Sequence, residues 1–185
     1  SASLQDSAQQ YLATHGKQGP RWAGLGVATS VTGDDVRFTN NSWQFSIAGF
    51  QKALSLERCL VINDFTALAL SLPVLKPSDV RAVGGGSAAS GSTVALLGPG
   101  TGLGVSGLVP DADGRFTALA GEGGHVTLSA SDDAQANLIQ ILRNKFQHVS
   151  AERVLSGAGL VNLYQAVCTM QGCASRDLQP AEVTD

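Results

Sequence analysis

Leu60-Val61-Ile62-Asn63-Asp64-Phe65-Thr66-Ala67-Leu68-Ala69-Leu70 changes character at its middle. A short, uniformly apolar run predicts a buried strand over Leu60 to Ile62, with Asn63 and Asp64 at its carboxyl end. From Phe65 onward helix-favouring residues take over. Asp64 then falls at or near the N-cap of a helix, where a carboxylate accepts backbone N–H groups and meets the positive end of the dipole. Two readings follow: Asp64 only caps the helix, or it is a charged base held at a strand tip. The rest of the chain has to choose between them.

The chain has 185 residues, enough for one large domain or two small ones, and its 43% apolar content can bury a real core. Twelve basic and fifteen acidic residues give a net charge of -3, and the cations form no run or stripe, so nucleic acid is not an expected partner of this segment. No apolar run is long enough to span a bilayer, and Ser1 to Gln10 lacks the apolar centre of a signal peptide, which leaves the cytoplasm as the default location and no membrane partner. Cys59, Cys168 and Cys173 have no C-x-x-C spacing, which argues against a disulfide framework or a structural zinc and for reduced thiols.

Upstream, Leu4, Ala8, Tyr11 and Leu12 mark one face of a helix that stops at His15-Gly16. Trp22 to Val31 reads as a strand containing Gly24 and Gly26, and a turn at Thr32 to Asp35 leads to a second strand over Val36 to Thr39. Asn40 and Asn41 sit in a polar loop before a helix over Ile47 to Leu54, as turn formers or as ligand contacts. Downstream, Pro73, Pro77 and the run Gly84 to Gly91 break the pattern, and a change of domain is expected there, with 1–74 in one part and 75–185 in the other.

Thr93 to Leu97 is a strand that enters Gly98-Pro99-Gly100-Thr101-Gly102-Leu103-Gly104 and leaves along Val105 to Val109. Such a turn lets backbone N–H groups converge on one concavity, which suits a phosphate, although an elaborate hairpin turn accounts for the spacing equally well. It is neither a dinucleotide fingerprint nor a P-loop. A second hairpin closes at Asp111 to Gly114 and leads to Gly121-Glu122-Gly123-Gly124-His125-Val126. The glycines make a metal-binding helix improbable here, so Glu122 and His125 are either turn residues or hydrogen-bonding contacts for an uncharged polar ligand. Ser131 to Asp133 caps a helix over Ala134 to Phe146, with Leu138, Ile141, Leu142 and Phe146 inward. Ser150 starts another helix in which Glu152 suits the first turn, and helical spacing resumes from Leu160 to Val167. An acid at a strand tip, a phosphate-sized turn and several contacts for hydroxyl groups together fit phosphoryl transfer to a sugar hydroxyl.

Five segments resemble, in order and spacing, the bacterial glucokinases of the proteobacterial type, members of the actin-like ATPase and hexokinase superfamily. They are Phe38 to Trp43, Ile62 to Ala67, Gly98 to Gly104, Gly121 to Val126, and His148 to Gly157. The resemblance implies an α/β, two-lobed, ribonuclease H-like sugar kinase fold, with a sugar cleft between the lobes. The residues 1–74 would belong to the small lobe and 75–185 to the large one. It further implies that Asp64 takes the proton from the 6-hydroxyl of glucose, and that Asn63, Glu122, His125 and Glu152, with Asn40, hold the other sugar hydroxyls. Gly100-Thr101-Gly102 would face the transferring phosphate of ATP, whose Mg²⁺ arrives with the nucleotide, so no protein metal site is implied. A homodimer is one assembly open to such a protein, and the residues do not fix it.

The family's opening Asp-x-Gly-Gly-Thr phosphate motif has no counterpart before Trp22, and the C-terminal part that shapes the adenosine pocket is also missing. The chain is therefore expected to be an internal fragment, incomplete at both ends and inactive by itself. Sugar kinases with a Cys-rich zinc motif form a different branch. Two other functions remain open: a kinase for another hexose or an amino sugar, and a sugar-sensing module without catalysis. Asp64 and Gly100 to Gly102 argue against the sensor, which needs neither.

Overall fold

The computed structural model describes residues 3–15, 19–38, 42–87 and 89–184. The chain folds as α1 (Leu4–His15), β1 (Trp22–Val27), β2 (Asp35–Arg37), β3 (Gln44–Ser46), α2 (Ile47–Ala53), β4 (Arg58–Asn63) and α3 (Asp64–Ser71). It continues with β5 (Val94–Pro99), β6 (Leu103–Pro110), β7 (Phe116–Leu119), α4 (Asp133–Phe146), α5 (Gly157–Met170) and α6 (Pro180–Thr184). Short 3₁₀ turns occupy Leu72–Val74, Pro77–Asp79, Gly123–His125 and Ala151–Arg153. The mixed α/β composition agrees with the expected fold class.

Two compact units form, one from 1–94 with 107–120 and the other from 95–106 with 121–185. In the first, β1 and β4 run parallel, with Val27 opposite Asn63, while β2 and β3 form an antiparallel ribbon. The first two strands are shorter than the expected Trp22 to Val31 and Val36 to Thr39, and β2 pairs with β3, a strand of three residues in what read as a polar loop. Val27, Val36 and Val61 make the buried core of this unit, with Leu25, Phe38, Phe45 and Ile47 against it. β4 is less buried than its apolar run suggests. Val61 is enclosed, whereas Leu60 is 47% exposed, because among the described residues β4 pairs with β1 alone. Helix α1 buries no residue, and Tyr11, expected on its inner face, is exposed and stacks on His15.

The second unit has its own core, in which Ile139 and Leu142 of α4 pack with Val149 and Val154 of the following loop and Ala166 of α5. Leu138, Ile141 and Phe146 lie half-buried at its edge, so the inner face of α4 lies about where its periodicity predicts. Asp132 caps α4 by accepting the Gln135 N–H at 2.8 Å. Within the first unit, the end of β6 pairs antiparallel with β7 across the turn at Asp111 to Gly114, Gly107 opposite Leu119 and Pro110 opposite Phe116.

Candidate functional site

The strand-to-helix junction is built from Asn63 and Asp64, which close β4 and open α3. Two adjacent residues able to cap compete here, and Asn63 takes the position. Its Oδ1 accepts the N–H groups of Phe65 at 2.9 Å and Thr66 at 3.1 Å, which satisfies two donors a helix start would otherwise leave open. Asp64 is instead the first residue of the helix. Its Oδ1 also accepts the Phe65 N–H, at 2.9 Å, and its Oδ2 has no hydrogen-bond partner among the described residues. Both side chains are half-buried. With the cap supplied by its neighbour, the Asp64 carboxylate is not needed to hold α3 together.

Helix α3 packs on β1, β4 and β7. Gly26 of β1 permits the close approach, since a Cβ there would lie 3.5 Å from both Ala67 Cβ and Asp64 Cα. The pair thus stands at the carboxyl ends of two parallel strands, where open α/β sheets bind their ligands. Thr66, one turn in, has a buried hydroxyl without a hydrogen-bond partner in the described protein. Asn40 lies outside the described residues.

In the second unit, three of the motifs converge. The Gly100 carbonyl accepts the Gly157 N–H at 2.8 Å, and the Leu103 N–H donates to Glu152 Oε2 at 2.9 Å. The Ala151 N–H donates to the Val126 carbonyl at 2.9 Å, and Thr127 bridges Ser150. Loops 98–104, 121–126 and 148–157 therefore form one hydrogen-bonded cluster. Two glycines lie where a side chain would collide with a neighbour. A Cβ on Gly124 would sit 2.1 Å from the Leu103 carbonyl oxygen, and one on Gly102 would sit 2.5 Å from Glu152 Oε2.

Glu152 occupies a 3₁₀ turn over Ala151–Arg153 rather than a longer helix, and its partner is the Leu103 N–H, not a helix dipole alone. One of its oxygens is spent inside the protein. Glu122 precedes the 3₁₀ turn Gly123–His125 and His125 ends it, and both are exposed. Within the Gly-rich turn, Gly100 donates its N–H to the Gly102 carbonyl at 2.8 Å. That leaves the N–H groups of Thr101 and Gly102 without a partner among the described residues, and a Cβ on Gly100 would meet nothing within 4 Å. The turn can therefore accept an anion through two backbone donors. Among the described residues no group of three or more His, Cys, Asp or Glu gathers to hold a metal ion.

The segment that sequence reading missed is the approach to Glu152. Gln147 ends α4 at φ 59° and ψ -62°, and the His148 N–H donates to the Phe146 carbonyl at 2.6 Å. This is a tight γ-turn of the uncommon hand, with the backbone in the left-handed half of φ space. Past it, His148 Nε2 lies 3.0 Å from Thr127 Oγ1. Nothing in the residue type of Gln147 announces such a turn.

The model of the family described as Glucokinase matches residues 1–185. The chain belongs to the glucokinase family. It is 53% identical to a glucokinase of Paramagnetospirillum magneticum over 163 residues, 88% of this chain and 51% of that protein. To a glucokinase of Aromatoleum aromaticum it is 50% identical over 184 residues, 99% of this chain and 55% of that protein. A crystal structure of a glucokinase from an Antarctic psychrotroph superposes with a TM-score of 0.90 at 37% identity, covering 100% of this chain and 57% of that one. The resemblance carried by the five motifs is borne out, and so is the sugar kinase fold. The glucokinase-family chain spans about half the length of the curated relatives it matches.

Proposed function

We propose that the protein carrying this chain transfers the terminal phosphoryl group of ATP to the 6-hydroxyl of glucose, with Asp64 as the general base. The observation that carries the reading is the division of labour at the start of α3. Asn63 supplies the cap and leaves Asp64 Oδ2 without a partner among the described residues, at the carboxyl end of a parallel strand pair, in a chain of the glucokinase family. In this reaction the sugar oxygen bonds to phosphorus as its proton passes to Asp64, and the bond from phosphorus to the departing ADP oxygen breaks. A positioned base contributes about 10²–10⁴-fold to such a step.

Asn63 would offer its amide Nδ2 to a sugar hydroxyl, because its Oδ1 is engaged by the helix. Glu122, His125, Glu152 and Asn40 are the other proposed sugar contacts. Charge gathering on the phosphoryl oxygens would meet the N–H groups of Thr101 and Gly102, and Mg²⁺ bound to the nucleotide would neutralise part of it. The residues 1–74 are assigned to the small lobe and 75–185 to the large lobe of the parent protein.

The test is ADP release by the longer protein with a panel of hexoses and amino sugars. Glucose is expected to give the highest kcat/KM, and a clear preference for another sugar would overturn the substrate assignment. The 185-residue chain by itself is expected to release no ADP with glucose. Turnover by that chain would overturn the second claim and leave the first intact.

A further inference from the structure

The C-terminal end of α5 holds a feature that phosphoryl transfer does not use. The helix ends at Gln171, and Gly172 follows at φ 69°, the left-handed conformation glycine adopts without strain. The Gly172 N–H donates to the Thr169 carbonyl at 3.1 Å, and the Cys173 N–H donates to the Cys168 carbonyl at 3.0 Å. This pair of bonds, one closing four residues and the other enclosing them in six, defines a Schellman turn. Such a turn folds the residue after glycine back over the third residue from the helix end, and an apolar contact commonly joins those two positions. Here both positions are cysteine.

Cys168 is buried, Cys173 is exposed, and both are free thiols. Contact with the Cys168 thiol holds the Cys173 thiol above the ordinary cysteine value, with a smaller contribution from desolvation, which agrees with the two sulfurs lying together. Cys59, in β4, has a thiol pushed up by burial alone and stands as the internal control.

We propose that Cys168 and Cys173 form a dithiol modification site, which closes to an intrachain disulfide when the protein meets a small-molecule disulfide such as oxidised glutathione. Cys173, the accessible member, reacts first. Its sulfur, having released its proton, attacks one sulfur of the oxidant, forming a mixed disulfide and expelling one glutathione thiolate. Cys168 then gives up its proton and attacks the Cys173 sulfur, which closes the protein disulfide and expels the second glutathione thiolate. Two thiols are oxidised and one disulfide is reduced to two thiols, so electrons and protons balance.

The closed bond fastens the strap 171–179 to the end of α5. That strap already touches the helix further along, where the Arg176 N–H donates to Tyr164 Oη at 3.1 Å. It leads to α6, whose Pro180 Cγ lies 3.7 Å from the position of a Cβ on Gly157. Since Gly157 bonds Gly100, helix α5 runs from the Gly-rich turn at one end to the dithiol at the other.

Residues 154–176 form a single tryptic peptide containing both cysteines and lacking Cys59. The chain is treated with oxidised glutathione, free thiols are blocked with iodoacetamide, and the digest is weighed. The expected result is a 154–176 peptide lighter by two hydrogens and unalkylated, with Cys59 alkylated. Cys168→Ser is expected to trap glutathione on Cys173, and Cys173→Ser to remain reduced at Cys168. Wild-type protein in which both cysteines are alkylated, or in which glutathione persists on Cys173, would overturn the proposal. Neither result depends on the folding of a variant.

Discussion

The Oδ1 of Asn63 is spent on two N–H groups of α3, so the proposed contact with a sugar falls to its amide Nδ2. Substitution separates the two roles. Asn63→Asp keeps a capping oxygen and loses the donor, so stability in urea is expected to hold while the KM for glucose rises about tenfold, the scale of one lost hydrogen bond. Asn63→Ala loses both, and unfolding is expected to become easier by about 1 kcal/mol as well. Equal sugar affinity in Asn63→Asp and wild type would remove the amide from the site. At Gly124 the argument is steric. The Leu103 carbonyl occupies the space of a Cβ and is backbone, unable to swing aside, so Gly124→Ala is expected to cost about 3 kcal/mol in denaturant unfolding. At Gly102 the obstacle is the end of the Glu152 side chain, and an alanine there would displace the carboxylate from the Leu103 N–H rather than break the fold.

Helix α2 is tied to the β2–β3 ribbon by Asp34, which accepts the Ser46 hydroxyl and the Ala48 N–H. The Ser46 bond, then the Ala48 bond, hold the Asp34 carboxyl below its ordinary range, and Arg21 does the same for Glu57. A carboxylate whose folded value is depressed contributes its stability in full above the unfolded value and loses it as pH falls through the folded one. The melting temperature should therefore fall as pH drops below the ordinary carboxylate range, and Asp34→Asn should flatten part of that fall. In the γ-turn after α4, Gln147→Gly is expected to stabilise by about 1 kcal/mol, since glycine relieves a strained φ worth somewhat more than the chain entropy it adds. A loss of stability there would show that the turn is not strained. The elements differ in how far residue type announces them. The change from strand to helix at Ile62 to Phe65 is legible because its periodicity and capping residues agree, and the inner face of α4 is legible for the same reason. Three features depend on distant partners and are not. The parallel register of β1 with β4 is set by packing, β3 exists through its pairing with β2, and Glu152 finds a partner 49 residues away. The choice of Asn63 over Asp64 as cap is hidden too, since either residue can cap a helix.

Taken whole, the chain builds two compact units, each with its own apolar core. The first contains Asn63 and Asp64. The second contains Glu122, His125, Glu152 and the Gly100 to Gly102 turn. Family membership rests on a match to all 185 residues, which span about half the length of the curated relatives they match, so the proposed activity is to be tested in a longer protein that carries this chain. The central claim is that Asp64 takes the proton from the sugar, and Asp64→Ala in that longer protein tests it most directly. Glucose-dependent ADP release is measured at saturating ATP, with glucose affinity from a calorimetric titration of the same samples. The account predicts a fall in kcat of about 10²–10⁴-fold with glucose binding largely kept. A variant that turns over near the wild-type rate while folded and binding glucose would contradict it.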